Sequence, residues 1–503
     1  MKEELQEIFT RGRDEEWRVD LRQSVKPTVR TSIPRVRMPE LPPDFRITNS
    51  REVCEGLSVE QAVLEATRCL DCVNPGCVKG CPVHNDIPGF IKNIERRDFR
   101  EASRVLRRTT VLPAVCGRVC PQEKQCEAGC TYLKMGKSAV SIGALERFTA
   151  DLNRTIDRMV HDSMADDEAV HPLYPIKVAV VGSGPSGLAF AGDMARRGYK
   201  VTVFEALSQF GGVLKYGIPE FCLPSKIVDR EINRLRDMGV NFIKDCLIGR
   251  TLSYGDLEKL GYKGIYIATG AGKPRYMDIP GENLPGVMTA NEYLMRLNLL
   301  EPSVFGANGV ALTGKRVAVI GGGNTAIDAA RCAVRTGAEE TYIVYRRSMD
   351  EMPARREEIR HAREEGIRFM TLHNPVRYLP DSKGFLHAMR LEKMELGEPD
   401  ESGRRSPVPI PGEFVEVPVD IVVVSIGYYP NPPISIPDME IGKGGKVEVD
   451  SETLRSTKAA VYAGGDIVRG PATVILAMGD GRKAADSMAK AFENAFSRIS
   501  LDY

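Results

Sequence analysis

Charge of either sign is missing in excess: 69 Lys and Arg against 68 Asp and Glu leave a net +1. That balance excludes a nucleic-acid-binding surface or a polybasic membrane patch as the organising feature. Long apolar runs are missing as well. The N-terminus, MKEELQEIFT, has acids among its first residues and no apolar core of signal-peptide length, and no later stretch approaches the roughly 20 apolar residues of a membrane span. The expectation is a soluble, cytoplasmic protein. Histidine is scarce, and His84 alone lies among the cysteines, which deprives a zinc site of its usual nitrogen ligands. Tryptophan occurs once, at Trp17, inside a charged, proline-studded stretch of 45 residues with little periodicity. Such a stretch reads as an unstructured tail or as an arm wrapping a partner. At 503 residues the chain is too long for one compact domain and calls for about three.

What is present is unevenly placed. Nine of the 12 cysteines fall between Cys54 and Cys130, while Cys222, Cys246 and Cys332 are scattered singly. In a reducing compartment this density favours metal or redox chemistry over disulfides. The first run is C-x2-C-x4-C-x3-C-P (Cys69, Cys72, Cys77, Cys81, Pro82), and the second is C-x3-C-P-x4-C-x3-C (Cys116, Cys120, Pro121, Cys126, Cys130). Closely spaced thiolates ending in Cys-Pro resemble ferredoxin runs, in which the last cysteine ligates the other cluster, although the middle spacing here is four rather than two. Two four-iron clusters shared between the runs is the reading, with zinc as the alternative. Eight sulfurs match two clusters by count, yet Cys116 and Cys120 sit four apart in a Gly-Arg turn, so one of the eight is open to being a spectator. Downstream, SIGALERF places Glu146 in an apolar context where an unpaired carboxylate is costly to bury. A helix-surface glutamate is the other reading.

Two dinucleotide-binding fingerprints follow. In IKVAVVGSGPSGLAFAGDMARRGYKVTVFEA a β-branched strand runs into Gly182-x-Gly184-Pro185-Ser186-Gly187, then a helix, then a strand ending in Glu205. Glycines permit the tight turn and close approach of pyrophosphate to the helix N-terminus, and the acid accepts ribose hydroxyls. In KRVAVIGGGNTAIDAARCAVRTGAEETYIVYRR the same setting surrounds Gly321-x-Gly323-Asn324-Thr325-Ala326, but the second strand ends in Arg346 and Arg347. An acid there suits a free 2′-hydroxyl and arginine suits a 2′-phosphate, so this site is expected to take NADP(H). The alternative is that both arginines are solvated surface. GIYIATGA, with Thr269 and Gly270, and DIVVVSIG read as strands closing the two nucleotide domains. AAVYAGGDIVRGPATVILAMGDGRKAADSMAKAF, with Gly465 and Asp466 in its turn, returns the chain to the first of them.

In this order, the paired cysteine runs, GRVCP, IGALERF, GSGPSG, GIPEF, GGGNTAID, YRR and AGGD resemble the glutamate synthase small-subunit family. That family includes the N-terminal half of dihydropyrimidine dehydrogenase and the large subunit of NADH-dependent ferredoxin:NADP oxidoreductase (sulfide dehydrogenase-like). The complete cysteine set and CGRVCPQE look closest to the latter. The resemblance implies an α/β chain: a helical N-terminal domain with two [4Fe-4S] clusters, then two Rossmann-like domains, the NADP(H) domain inserted in the FAD domain. It divides the sequence into an N-terminal arm (1–50), an iron–sulfur domain (51–155), a linker (156–175), an FAD domain (176–286 and 431–503) and an NADP(H) domain (287–430). It assigns Cys69, Cys72, Cys77 and Cys130 to one cluster and Cys81, Cys120, Cys126 and Glu146 to the other, with Cys116 left over. It also passes FGGVLKYGIPEFCLP, including Gly212, Val213, Gly217 and Ile218, near the isoalloxazine, where glycine allows close backbone approach. Cys222 stands where arginine is usual in the family, removing a fixed positive charge near the flavin.

The chemistry implied is hydride exchange between nicotinamide and flavin and single-electron transfer to the clusters, with the protein supplying orientation and electrostatics. No catalytic acid or base is required. A thioredoxin-reductase-like disulfide reductase would share the fingerprints but needs C-x2-C beside the flavin. A cluster-bearing assembly subunit without turnover would not keep both fingerprints intact. No glutaminase or pyrimidine-barrel portion is evident before Tyr503, so the electrons are expected to pass to a partner. The candidates are a small flavin and iron–sulfur subunit of the bifurcating ferredoxin:NADP oxidoreductase type, a bifurcating hydrogenase assembly, or a glutamate-forming large subunit.

Overall fold

The computed structural model describes residues 12–159, 174–299, 312–401, 403–431 and 436–501, so most of the expected linker, 160–173, lies outside the described residues. The N-terminal stretch is neither an unstructured tail nor a free arm from residue 12 onward. Its short helices Glu16–Ser24, Pro27–Ser32 and Pro43–Arg46 are tied down by buried arginines. Arg18 and Arg22 each meet the buried carboxylate of Asp71 at 2.6 Å, Arg30 meets Glu95 at 2.7 Å, and Arg46 meets Glu365 at 2.9 Å. The charge that marked this stretch as a tail or an arm is paired with acids elsewhere in this same chain. Removing one partner of such a buried pair costs roughly 3–5 kcal/mol.

The cluster-bearing domain is helical. Its segments Val59–Thr67, Ile87–Glu95 and Phe99–Arg107 start at Ser58, Asp86 and Asp98, whose side chains accept from backbone N–H groups of the first turn. Pro113–Val119 and Ile142–Met159 complete the frame. Two parallel five-stranded sheets follow. The first has the order Val461–Ala463, Tyr262–Ile267, Lys177–Val181, Lys200–Phe204, Asn241–Ile243, and the second Val287–Thr289, Ile421–Val424, Arg316–Ile320, Glu340–Tyr345, Arg368–Thr371. The last strand of the first sheet comes from beyond the whole second sheet, so one nucleotide domain is inserted in the other, as the sequence implied. An antiparallel ribbon of Ala271–Pro274 and Tyr428–Pro430 carries the chain out and back. A three-stranded antiparallel sheet spanning His373–Pro418 is appended to the second domain.

The hydrophobic core places the redox groups. One continuous core runs from Ala62, Phe90 and Leu145 of the cluster domain into Val178, Phe190 and Met478 of the first nucleotide domain, so these two units share an interior. The long helix Val474–Leu501 lies on helix Pro185–Arg196, and a Cβ at Gly481 would stand 2.3 Å from the Ser186 carbonyl oxygen. Gly481→Ala is therefore expected to lever the two helices apart and to lower flavin retention, read as the flavin-to-protein ratio after gel filtration. Among the described residues no helix is long and apolar enough to cross a membrane.

Candidate functional site

Glycines beside the cysteines determine how the two runs meet. A Cβ on Gly76 would lie 2.3 Å from the Gly129 carbonyl oxygen, and one on Gly129 would lie 2.2 Å from that of Gly76. The loops therefore touch backbone to backbone, which brings Cys77 beside Cys130. Gly80 approaches the Gln125 carbonyl in the same way, at 2.6 Å, placing Cys81 by Cys126. Gly117 packs on the backbone nitrogen of Arg147, again at 2.6 Å, which sets the Cys116–Cys120 turn against Glu146. Gly129→Ala should thus abolish the first of these contacts and lose about half the bound iron, measured by iron and acid-labile sulfide analysis.

The electrostatics sort these side chains into two sets. Burial pushes Cys77 well above the ordinary thiol range, and Cys69, Cys130 and Cys72 push it further. Burial raises Cys126 likewise, with Cys81, Glu127 and Glu146 adding to it. Cys69 rises to about 11 and Cys81 to about 12, burial leading in both. Cys120 is raised first by a hydrogen bond with Cys116 and then by burial. The first set is half-buried, whereas Cys81, Cys120 and Cys126 are buried. Glu146 is 6% exposed, its Oε1 has no hydrogen-bond partner, and burial alone lifts its carboxyl to about 8. Thiolates and a carboxylate packed this closely without a compensating cation are costly. Iron bound at these positions would supply that cation and displace the protons.

The donor geometry bears on zinc. Four sulfurs on one zinc, at about 2.3 Å each, stand about 3.8 Å apart. Among the described residues, neither cysteine set brings three ligand atoms within 4.8 Å of one another, although two other side-chain groups do. The spread suits thiolates that each hold their own iron. Cys116 is buried, with its Sγ 3.5 Å from Met478 Sδ, and so lies between the inner set and the helix Val474–Leu501.

At the first fingerprint Gly182 has φ +105°, and a Cβ there would sit 2.5 Å from the Ala268 carbonyl oxygen; Gly184, at the start of helix Pro185–Arg196, faces open space. That opening at a helix N-terminus is a cradle for pyrophosphate. The Glu205 carboxylate is fixed in place by backbone donors: one oxygen accepts from Ser183 N–H at 3.0 Å and the other from Leu207 N–H at 3.0 Å. Gly212, with φ +54°, comes within 3.0 Å of Gly184 Cα, counted from a built Cβ, and carries Val213, Gly217 and Ile218 beside the loop. Thr269 donates to the Asn431 carbonyl, next to Gly270. Gly465 N–H donates to Asp480, and burial lifts Asp466 to about 6. Ser186 turns inward, with its Oγ 2.6 Å from the Tyr266 hydroxyl, so its side chain belongs to the fold while its backbone caps the cradle.

The second fingerprint repeats the pattern. Gly321 would clash with Ser425 O at 2.3 Å, Gly323 is open, and Ala326 is fully buried. Asn324 Oδ1 accepts from Arg355 N–H at 2.9 Å, beside Thr325. The two arginines differ. Arg346 is exposed and has no ion pair among the described residues, whereas Arg347 is 5% exposed and paired with Asp400. Cys222 does not stand without positive charge: Arg331 Nη1 donates to its Sγ at 3.6 Å, with Asp328 and Glu358 on its other sides. Sequence reading missed Arg331, Arg355 and Met478, which reach their places through space and carry no local signal.

Two known families match successive parts of the chain. The family described as dihydropyrimidine dehydrogenase domain II, 4Fe-4S cluster, matches residues 46–158, and that described as pyridine nucleotide-disulphide oxidoreductase matches residues 176–481. The glutamate synthase [NADPH] small chain of Halomonas elongata is 36% identical, covering 89% of this chain and 94% of its own. The NADP(+)-dependent formate dehydrogenase subunit beta of Moorella thermoacetica is 38% identical over 83% of this chain and 60% of its own. Among solved structures, Mycobacterium tuberculosis FprA in complex with NADPH shares the fold, with TM-score 0.55, 23% identity, and coverage of 65% of this chain and 86% of that one. On the cysteine runs, the paired fingerprints and these matches together, the chain belongs to the glutamate synthase small-subunit family.

Proposed function

We propose that this NADP(H)-dependent flavin and iron–sulfur oxidoreductase works as the electron-transfer subunit of a larger assembly, of the electron-bifurcating ferredoxin:NADP oxidoreductase or hydrogenase type. In this reading Arg346 selects NADP(H), Glu205 and Gly184 seat FAD, and the eight ligands named above hold two [4Fe-4S] clusters. Bound there, the cofactors supply conversion of a hydride's two electrons into single-electron transfers.

The observation that carries the order of transfer is a pair of contacts. Gly479, on the helix that follows the flavin-side turn, would place a Cβ 3.1 Å from the Pro82 carbonyl, and Cys116 meets Met478. Both contacts support a path in which the Cys81–Glu146 set takes electrons from the flavin side and the less buried Cys69–Cys130 set passes them outward. That outer edge is dressed for contact. Val73, Leu133 and Met135 are exposed there, together with Lys79, Lys134 and Lys137, a basic rim around an apolar centre that fits a partner with an acidic face.

Anaerobic purification from the source, with mass spectrometry of what stays bound, tests the reading. A flavin and iron–sulfur subunit, alone or with hydrogenase subunits, is the expected result. A glutamate-forming large subunit would establish the second reading, an NADPH-linked glutamate synthase small subunit, which the similarity to the Halomonas chain along 94% of that relative favours.

A further inference from the structure

Away from the cluster and nucleotide sites, four side chains from three parts of the chain converge. We propose that Glu40, Cys54, Glu357 and His361 form a binding site for a zinc-type divalent cation that pins the cluster domain to the inserted nucleotide domain. The four ligand atoms all lie within 4.8 Å of one another, the compactness that the cluster cysteines lack.

Local structure sets them there. Glu40 and Cys54 are opposite residues of an antiparallel bridge, held by Leu41 N–H donating to Val53 O at 2.9 Å and Glu55 N–H to Pro39 O at 2.8 Å. Opposed residues in such a pair have Cβ atoms about 5 Å apart. Glu357 and His361 are four apart on helix Arg356–Glu364 and so share one face. The bridge and the helix meet across a cavity of about 620 Å³ lined by all four, which gives an ion its access route.

The imidazole of His361 is incompletely satisfied by its protein neighbours. His361 is 1% exposed, and its Nδ1 is buried with no partner. Its Nε2 lies 3.1 Å from a Glu40 oxygen and 3.1 Å from Arg360 Nη2. A guanidinium only donates, so either protonation state leaves one contact repulsive. With a proton, Nε2 faces the arginine donor; without one, its lone pair faces the carboxylate. A cation between Nε2 and Glu40 resolves the conflict.

Glu40 is available as an anion: burial alone would raise it, yet His361 and Arg360 hold it down to about 2. Cys54 is pushed far above the thiol range by burial and then by Glu357, so its thiolate forms only with a cation at hand. Arginines stand around the set, and each has somewhere else to go. Arg360, half-exposed, also pairs with Glu364 at 2.9 Å; Arg355, on Glu357 at 3.0 Å, also donates to Gln122; Arg147, beside Cys54, pairs with Glu52 at 3.0 Å; and Arg46, 3.9 Å from Glu40, pairs with Glu364 at 2.7 Å. One thiolate, one imidazole and two carboxylates suit zinc and do not suit magnesium or calcium, which want oxygen alone.

The test uses the holoprotein, stripped of loose metal with EDTA, equilibrated anaerobically with micromolar Zn²⁺ and desalted. One zinc per chain is expected, with unchanged iron and sulfide, and with X-ray absorption showing a single sulfur at about 2.3 Å and the remaining ligands nitrogen or oxygen at about 2.0–2.1 Å. Cys54→Ser should remove the sulfur shell and weaken retention at least tenfold. Glu357→Gln, a milder change on the cavity wall, should weaken retention without loss of the sulfur. Failure to retain zinc, a shell of three or four sulfurs from the cluster cysteines, or a spectrum indifferent to both substitutions would overturn the site.

Discussion

Glu146→Ala is expected to erase or alter the signal of one iron–sulfur cluster in electron paramagnetic resonance of the reduced protein, leaving the other cluster's signal intact. NADPH should still bleach the flavin at close to the parent rate. Electron delivery to the outer cluster should fall on the order of 100-fold, because groups that merely orient metal ligands already cost 10–100-fold when removed. The reason lies in the carboxylate's surroundings. It is buried beside Cys81, Cys120 and Cys126, its Oε1 has no partner, and burial lifts it to about 8 from an ordinary 4.5. An acid raised in the folded state contributes stability below its unfolded value and loses it as pH climbs through the folded one. In iron-free protein the ionised form should therefore cost on the order of 5 kcal/mol above pH 8. Glu146→Gln should then make the iron-free chain more stable than the parent at pH 8.5, an advantage that fades toward pH 4.5, while the same change weakens the iron-loaded chain. Denaturant melts of both forms read that reversal of sign. A surface glutamate would show no difference in either, and an unchanged spectrum would remove Glu146 from the ligand set.

Much of this site is legible in the chain because glycine and cysteine are placed by local necessity. The two strand–glycine–helix fingerprints are read from consecutive residues, and the structure has the strand, turn and helix in that order, with Gly184 at the helix start and Glu205 just after the second strand. The inserted domain is legible too, since a strand-turn-helix after Tyr428 has to return to the first sheet, and Val461–Ala463 does. The limits fall where a residue's role depends on a distant segment. Arg18, Arg30 and Arg46 look like a solvated tail until Asp71, Glu95 and Glu365 are seen beneath them. Gly76 and Gly129 are 53 positions apart, and nothing in either neighbourhood announces that their backbones touch. Cys222 shows the same limit. One substitution reads as a lost charge, yet Arg331, 109 residues on, brings a guanidinium back to it.

Arg346→Ala is expected to raise KM for NADPH about 10- to 150-fold while leaving KM for NADH within about twofold, the loss of one charge-assisted hydrogen bond at about 1.5–3 kcal/mol. The sequence offers Arg346 and Arg347 as equals, and burial separates them. Arg346 is exposed at the end of strand Glu340–Tyr345 with no ion pair among the described residues, so its guanidinium is free to meet a 2′-phosphate. Arg347 lies beneath, pairs with Asp400, and offers its own carbonyl to Leu372 N–H at 3.1 Å. Arg347→Ala removes the ion pair with the Asp400 carboxylate, about one-third exposed, and should lower the melting temperature while affecting both coenzymes alike. Steady-state kinetics with NADPH and NADH, beside thermal melts, separates the two: Arg346 should change the NADPH/NADH ratio without the melt, and Arg347 the melt without the ratio. If Arg346→Ala weakens both coenzymes equally, the 2′-phosphate is recognised elsewhere, and the exposed arginine is surface.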